Sequence, residues 1–360
     1  MLNKLITLIL CISIFSITSC SEDDGPTELI KVVIDGAALA PNIGGSNEQN
    51  QVYIDLSTST STAVQRDSWD LGFYSGSEFR VALNGSIYMT AAKLSVTDID
   101  AVNSTDTEVL DFQTKAVVGF AGSQIYIDAP NGDITETAIS EISDTDENNP
   151  VYLINLGDEV GTEPASTGSV AISGDARGWK KIRILKSGDN YILQYADLDA
   201  TTHKEVTLSK NTEFNYTFFS FNTENVVSVE PKKENWDLNF TVFTNEIVGY
   251  GAYGFSDFVV NNTKADVQVY MVDTEVETTL NYTNFTLADV DASNFSTDQR
   301  GIGNSWRNSG GPSTLPSLKT NLFYVINDTD GNLYKLQLIA LTNTDGERGH
   351  PEFIYSLLVE

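Results

Sequence analysis

Beyond the initiator Met1, four side chains carry thioether or imidazole ligand chemistry: Met89 and Met271, and His203 and His350. Thioether sulfur and imidazole nitrogen both bind transition-metal ions. Each residue also has a plainer reading. Met89, in Ile87-Tyr88-Met89-Thr90, and Met271, in Val269-Tyr270-Met271-Val272, are flanked by strand-forming residues and read first as core. His203 and His350 read first as loop or surface residues.

Other chemistries are thinly served. The only cysteines are Cys11 and Cys20. The first leaves with an N-terminal signal and the second is consumed by lipidation. Thiolate zinc sites, cysteine nucleophiles and redox pairs are therefore excluded. No Ser-His-Asp order has a defensible spacing, which argues against nucleophilic and metal-assisted hydrolysis. Paired carboxylates for glycoside cleavage stay open, because 50 Asp and Glu residues offer many pairs. Asp328-Thr329-Asp330-Gly331-Asn332 and Asp144-Thr145-Asp146-Glu147 have calcium-loop character, but neither has the distant glutamate that an EF-hand loop needs. Acidic turns account for both. Gly249-Tyr250-Gly251-Ala252-Tyr253-Gly254 precedes no helical pattern, so it is an aromatic, glycine-rich turn and not a dinucleotide fingerprint. Gly301-Ile302-Gly303-Asn304-Ser305-Trp306-Arg307 reads as a polar loop with an exposed Trp306, which could join Arg307 against a planar ligand or a sugar.

The elements that would position these residues begin after residue 30. Lys4 is followed by an apolar run over residues 5–17, too short for a comfortable membrane span, so residues 1–19 read as a signal peptide. Ile17-Thr18-Ser19-Cys20 resembles a bacterial lipobox, with Cys20 as the lipidated residue. Residues 20–30 then form a tether. Its Ser21-Glu22-Asp23-Asp24 run resembles the acidic signal that sends some Gram-negative lipoproteins to the outer face of the outer membrane. The expected location is therefore the outer membrane of a Gram-negative bacterium, lipid-anchored and exposed at the cell surface. The formal charge of −29 argues against nucleic acid or anionic lipid as a partner.

Nearly everything downstream reads as strand. Gln51-Val52-Tyr53-Ile54-Asp55-Leu56, Lys181-Ile182-Arg183-Ile184-Leu185 and Asp266-Val267-Gln268-Val269-Tyr270 alternate in polarity, and turn dipeptides punctuate the runs. No long stretch shows helical periodicity; Thr286-Leu287-Ala288-Asp289 caps at most one short turn. The expected class is all-β.

The chain also repeats itself. Ser68-Trp69-Asp70-Leu71 is matched by Asn235-Trp236-Asp237-Leu238, Asp98-Ile99-Asp100-Ala101 by Asp289-Val290-Asp291-Ala292, and Gly188-Asp189-Asn190-Tyr191 by Gly331-Asn332-Leu333-Tyr334. Two related antiparallel domains are expected, residues 31–210 and 211–360, with a polar expansion in the first between positions 103 and 167. Trp69 and Trp236 read as core landmarks, and the following Asp as an acceptor for backbone N–H groups of the adjoining loop.

The second half, residues 214–355, resembles the HmuY family of haem-binding surface lipoproteins. The resemblance is carried by Phe219-Ser220-Phe221-Asn222-Thr223, Asn235-Trp236-Asp237-Leu238, Phe323-Tyr324-Val325-Ile326, Asp330-Gly331-Asn332-Leu333-Tyr334-Lys335-Leu336, Gly346-Glu347-Arg348-Gly349 and Phe353-Ile354-Tyr355. The first half is similar more weakly, through Trp69-Asp70-Leu71 and the Gly188 hairpin, which makes the chain a tandem or degenerate double copy. The resemblance implies an all-β domain that grips a flat ligand, haem uptake, and two axial ligands, His in some members and Met in others. These ligands lie between the Trp-Asp-Leu and Tyr-Val-Ile strands, one for each face of the iron. Here residues 272–322 contain no His and no Met. Met89 and Met271 are the axial candidates that remain, with His203 and His350 secondary, and counting back from Asp98 and Asp289 aligns Met89 with Leu280. The expected function is binding of haem or a related porphyrin, free or from a haem-carrying protein, and its transfer to an outer-membrane transporter, without enzymatic activity. The alternative is a surface adhesion, glycan- or protein-binding β module that has lost its haem ligands.

Overall fold

The computed structural model describes residues 33–310 and 314–359. The signal, Cys20 and the acidic tether lie outside the described residues.

Strands in chain order are β1 (Gly36–Leu39), β2 (Asn50–Asp55), β3 (Thr60–Gln65), β4 (Leu71–Tyr74), β5 (Val81–Leu83), β6 (Thr90–Lys93), β7 (Val151–Asn155), β8 (Asp158–Val160), β9 (Ser173–Ala176), β10 (Trp179–Ser187), β11 (Asn190–Asp197) and β12 (Lys204–Ser209). There follow β13 (Tyr216–Ser220), β14 (Asn225–Val227), β15 (Leu238–Ile247), β16 (Gly251–Asn261), β17 (Gln268–Asp273), β18 (Arg307–Asn308), β19 (Ser317–Leu318), β20 (Leu322–Asn327), β21 (Leu333–Thr342) and β22 (Arg348–Leu357). The all-β expectation holds. Among the described residues one α-helix, α1 (Thr107–Lys115), lies in the first copy's expansion; Val109, Phe112 and Ala116 give it and its C-cap a short apolar stripe.

The strands form two lobes, each a pair of facing antiparallel sheets. In one, β12-β11-β10-β7-β6 packs on β14-β13-β4-β5 over a core that includes Leu71, Phe73, Tyr191, Leu193 and Phe219. In the other, β1-β22-β21-β20-β17 packs on β16-β15-β2-β3 over Val52, Ile54, Leu238, Phe240 and Phe353. Alternating apolar residues send one face of each strand inward, which is what the period-2 pattern requires.

The lobes do not follow the sequence repeat. The hairpin β2–β3 precedes the first Trp-Asp-Leu in the chain, yet pairs beside β15, which continues the second. The hairpin β13–β14 precedes the second Trp-Asp-Leu, yet pairs beside β4, which continues the first. Each copy lends its leading hairpin to the other. The aspartates record the exchange. Asp70 Oδ2 accepts the Phe221 N–H at 2.6 Å, and Asp237 Oδ2 accepts the Leu56 N–H at 2.8 Å. These are bonds to the lent hairpin and not to the adjoining loop that the sequence suggests. Two asparagines repeat the symmetry: Asn84 Nδ2 donates to the Trp69 carbonyl at 2.8 Å, and Asn262 Nδ2 to the Trp236 carbonyl at 2.9 Å.

Three other expectations need correction. The Gly188 turn joins β10 to β11, third and fourth from the β6 edge of their sheet, whereas the Gly331 turn joins β20 to β21, second and third from the β17 edge. The two Gly-x-x-Tyr hairpins therefore occupy different places. Residues 249–254 are a turn only at their start; β16 begins at Gly251. Trp306 is not exposed. It is 1 % accessible within the second core, and the neighbouring Arg307 Nε meets the buried Asp257 carboxylate at 3.1 Å. An indole beside a polar loop gains more from filling the core than from water.

Candidate functional site

A cavity of about 210 Å³ lies where the two Trp-Asp-Leu segments meet. Both copies supply its wall at matching positions: Trp69 and Trp236, Phe218 and Tyr53, Asn84 and Asn262. The exchange creates this wall. Trp69 meets the ring of Phe218 edge to face at 4.7 Å, and Trp236 meets Tyr53 at 5.0 Å, so each indole packs on the hairpin lent by the other copy. Trp236 is buried and Trp69 half-buried. Among the described residues neither indole N–H has an oxygen or nitrogen acceptor, nor does Gln51 Nε2 on the same wall have one. Buried polar atoms without partners are rare enough to mark a place that asks for an explanation.

The first copy's expansion covers one side of the cavity with residues 127–137. Asp128 fixes this segment: Oδ2 accepts the Leu83 N–H at 2.7 Å and Oδ1 the Ala138 N–H at 2.9 Å. Burial pushes the Asp128 carboxyl up to about 6. From the other lobe, the Gln299 N–H bonds the Asn131 carbonyl at 3.0 Å, its side chain bonds the Pro130 carbonyl at 3.0 Å, and the Lys264 ammonium bonds the Gly132 carbonyl. Glu230 completes the wall. One oxygen accepts the Tyr216 N–H at 2.8 Å, and burial pushes the carboxyl up to about 8.

The four sequence candidates do not converge. Met89 is 1 % exposed, belongs to the first core and reaches this cavity. Met271 is 45 % exposed and lines a different recess, of about 400 Å³, with Asp273, Glu275, Ser305, Lys319 and Leu322. His203 Nδ1 lies 3.0 Å from Asp100 Oδ1. His350 is a strand residue of β22, and its imidazole faces Gly45. Ladder register also replaces the alignment by counting. Lys93 pairs with Tyr152 as Met271 pairs with Tyr324, so Met271 corresponds to Lys93 and Met89 to Val267.

Comparison with known proteins decides the relationship. The family model for the HmuY protein matches residues 47–201 and again 212–355. The chain belongs to the HmuY family. It carries the family pattern twice, in tandem. Among solved structures, the chain is similar to the apo form of PinO from Porphyromonas gingivitis, at 14 % identity over 49 % of this chain and 94 % of that one, with a TM-score of 0.22. It is also similar to the apo HmuY analog TFO of Tannerella forsythia, at 11 % identity over 91 % of this chain and 99 % of that one, with a TM-score of 0.25. No curated protein matches.

Against the HmuY pattern, the Trp-Asp-Leu segments have a second role. They read as core landmarks in the sequence and stand here on the wall of the junction cavity. Sequence reading misses Asn84, Asp128, Glu230, Asn262 and Lys264. The asparagine pair is hidden because its spacing from the tryptophan differs, 15 positions in one copy and 26 in the other. A readable signal does exist: Val151-Tyr152-Leu153-Ile154-Asn155 echoes Phe323-Tyr324-Val325-Ile326-Asn327 and sets the register that aligns the copies. Nothing local distinguishes Glu230 and Asp128 from the many solvated carboxylates, since burial comes from the exchange and the covering segment.

Proposed function

We propose that this HmuY-family protein is a non-enzymatic surface lipoprotein that captures haem or a related porphyrin and passes it to an outer-membrane transporter. The observation that carries this reading is Met271. Of the four candidate ligands, its thioether is the one presented to solvent beside a recess, and at about 400 Å³ that recess falls in the usual range for ligand pockets, roughly 300–1,000 Å³. A thioether is an accepted axial ligand for haem iron, and Lys319 on the same rim supplies a cation for a propionate. Cys20 would hold the protein at the membrane through its lipid. Titration of the mature protein with haemin should give a saturable Soret shift that Met271→Ala abolishes; a featureless titration overturns the reading. Cys20→Ala should remove surface labelling of intact cells, and unchanged labelling would refute the anchor.

A second reading, a binding module that has kept the fold and lost iron ligation, is favoured by one observation. The described residues around Met271 include no second Met and no His, so the recess offers one axial ligand where the family chemistry uses two. Iron-free protoporphyrin binding as tightly as haemin would select this reading.

A further inference from the structure

The junction cavity holds a buried carboxyl that the fold leaves without a counter-charge. Glu230 is 5 % exposed. Its carboxylate accepts from the Tyr216 N–H at 2.8 Å, from the Asn215 backbone N–H, and from the Asn215 side-chain amide at 3.5 Å, all of them neutral donors. Among the described residues no cation pairs with it. Lys264, the cation on the same wall, is turned to the Gly132 carbonyl beside Asp128 and Asp133. An ionised carboxylate buried without a partner is expensive, so the group keeps its proton and is raised to about 8.

The surroundings of Glu230 are aromatic. Tyr53 and Tyr216 both lie within electrostatic reach of its carboxylate and are themselves held neutral by burial. Trp69, Trp236 and Phe218 extend the same wall. Ring faces carry negative quadrupole and attract cations, most strongly where water is excluded. The feature also belongs to one copy. By hairpin register, Thr62 corresponds to Val227, each opposite the ring that meets an indole. Seven positions separate Thr62 from Trp69, and nine separate Val227 from Trp236. Glu230 stands in the longer stretch. The repeat alone therefore does not account for this carboxyl.

We propose that the junction cavity is a binding site for a small organic ammonium ion, with Glu230 as its anionic partner and Trp69, Trp236 and Tyr216 as its cation–π wall. A volume of about 210 Å³ admits a cation of choline or benzylamine size and is too small for a porphyrin. The site is therefore separate from the Met271 recess. Binding at neutral pH exchanges the Glu230 proton for the ammonium charge, and that proton goes to buffer. The other titratable groups facing the cavity are Tyr53, Tyr216, Asp128, Asp133 and Lys264.

The test is calorimetry on the mature protein with choline and benzylamine, set against their neutral counterparts 3,3-dimethylbutan-1-ol and benzyl alcohol. At least one ammonium compound should bind about tenfold tighter than its neutral counterpart. Repeating the titration at pH 7 in two buffers of different ionisation heat should show close to one proton released per cation bound. Glu230→Gln should weaken ammonium binding by about tenfold or more, because the amide keeps the shape and removes the buried acid. Met271→Ala should leave this binding unchanged, so failure here is separable from failure of the porphyrin reading. Equal affinity for neutral and cationic probes, no binding of either, or wild-type affinity in Glu230→Gln overturns the proposal. If Glu230→Gln does not fold, the proton count on wild type decides alone, and a count near zero overturns it.

Discussion

The two Trp-Asp-Leu aspartates share a sequence, a burial and a hydrogen bond, and differ in their charge partner. Asp70 Oδ1 lies 2.7 Å from the Arg177 guanidinium, whose side chain is 6 % exposed. Among the described residues no cation pairs with Asp237; its second oxygen accepts the Thr329 N–H at 3.0 Å, and burial raises its carboxyl to about 7. One copy has built a buried ion pair on the motif, and the other has left the acid to be held by backbone N–H groups alone. The motif therefore fixes the backbone connection to the lent hairpin, while the electrostatics around it are free to diverge. Glu230 and Lys264 show the same drift around one cavity.

Breaking the comparison outright means separating the copies. Residues 211–360 expressed alone should show no cooperative unfolding transition, because β15 would lack β2 and β22 would lack β1; a sharp denaturant transition in that half would sink the exchange as a requirement for folding. Asp70→Asn leaves Arg177 buried without its counter-charge and should cost about 3–5 kcal/mol in urea unfolding at pH 7. Met89→Ala opens a hole in the first core and should cost about 2–5 kcal/mol, whereas Met271→Ala on the other lobe should stay within about 0.5 kcal/mol. Equal losses would mean that the two methionines are not placed as described.

Asp237→Asn should cost about 1–3 kcal/mol at pH 7, since both carboxyl oxygens accept backbone N–H groups and the amide can accept only one of them. Its clearer signature is in pH. A carboxyl raised to about 7 in the fold binds its proton more tightly there than in the unfolded chain. Its contribution is therefore fully present below the unfolded value and is lost as pH rises through about 7. Asp237→Asn should flatten the decline in Tm between pH 4 and pH 8 relative to wild type, and a parallel decline would show that other groups, such as Glu230, carry it.

The fold class was legible because alternation and turn residues are local. Gln51-Val52-Tyr53-Ile54 declares a strand whatever it pairs with. The family was legible because Trp236-Asp237-Leu238 and Phe323-Tyr324-Val325-Ile326 keep their order. The exchange was not legible: β2 would look the same beside β4 as beside β15, since a hairpin's outer edge records no partner. The junction cavity follows from that pairing, so Trp69 and Trp236 could be seen as important without being seen as neighbours. Trp306 misled for the opposite reason, a polar loop sequence surrounding a residue that folds back into the core.

The ladder between β1 and β22 has a mechanical meaning. Gly36 to Leu39 pair antiparallel with Ser356 to Phe353, and the Leu357 N–H bonds the Asp35 carbonyl at 2.7 Å. If the protein is held from its N-terminal side, a pull on the body enters at Val33, packed on the second core, and at the Ile34 N–H bond to the Ser57 carbonyl, and passes to β1. It then falls on these few rungs, whose Ala37 and Leu39 pack on the second core. The leading hairpin of the first copy, β2–β3, lies next along the chain and belongs to that same lobe, so tension reaches the other lobe only at β4. A body tethered in this way loads one lobe first, and that lobe is the one completed by the C-terminal strand β22.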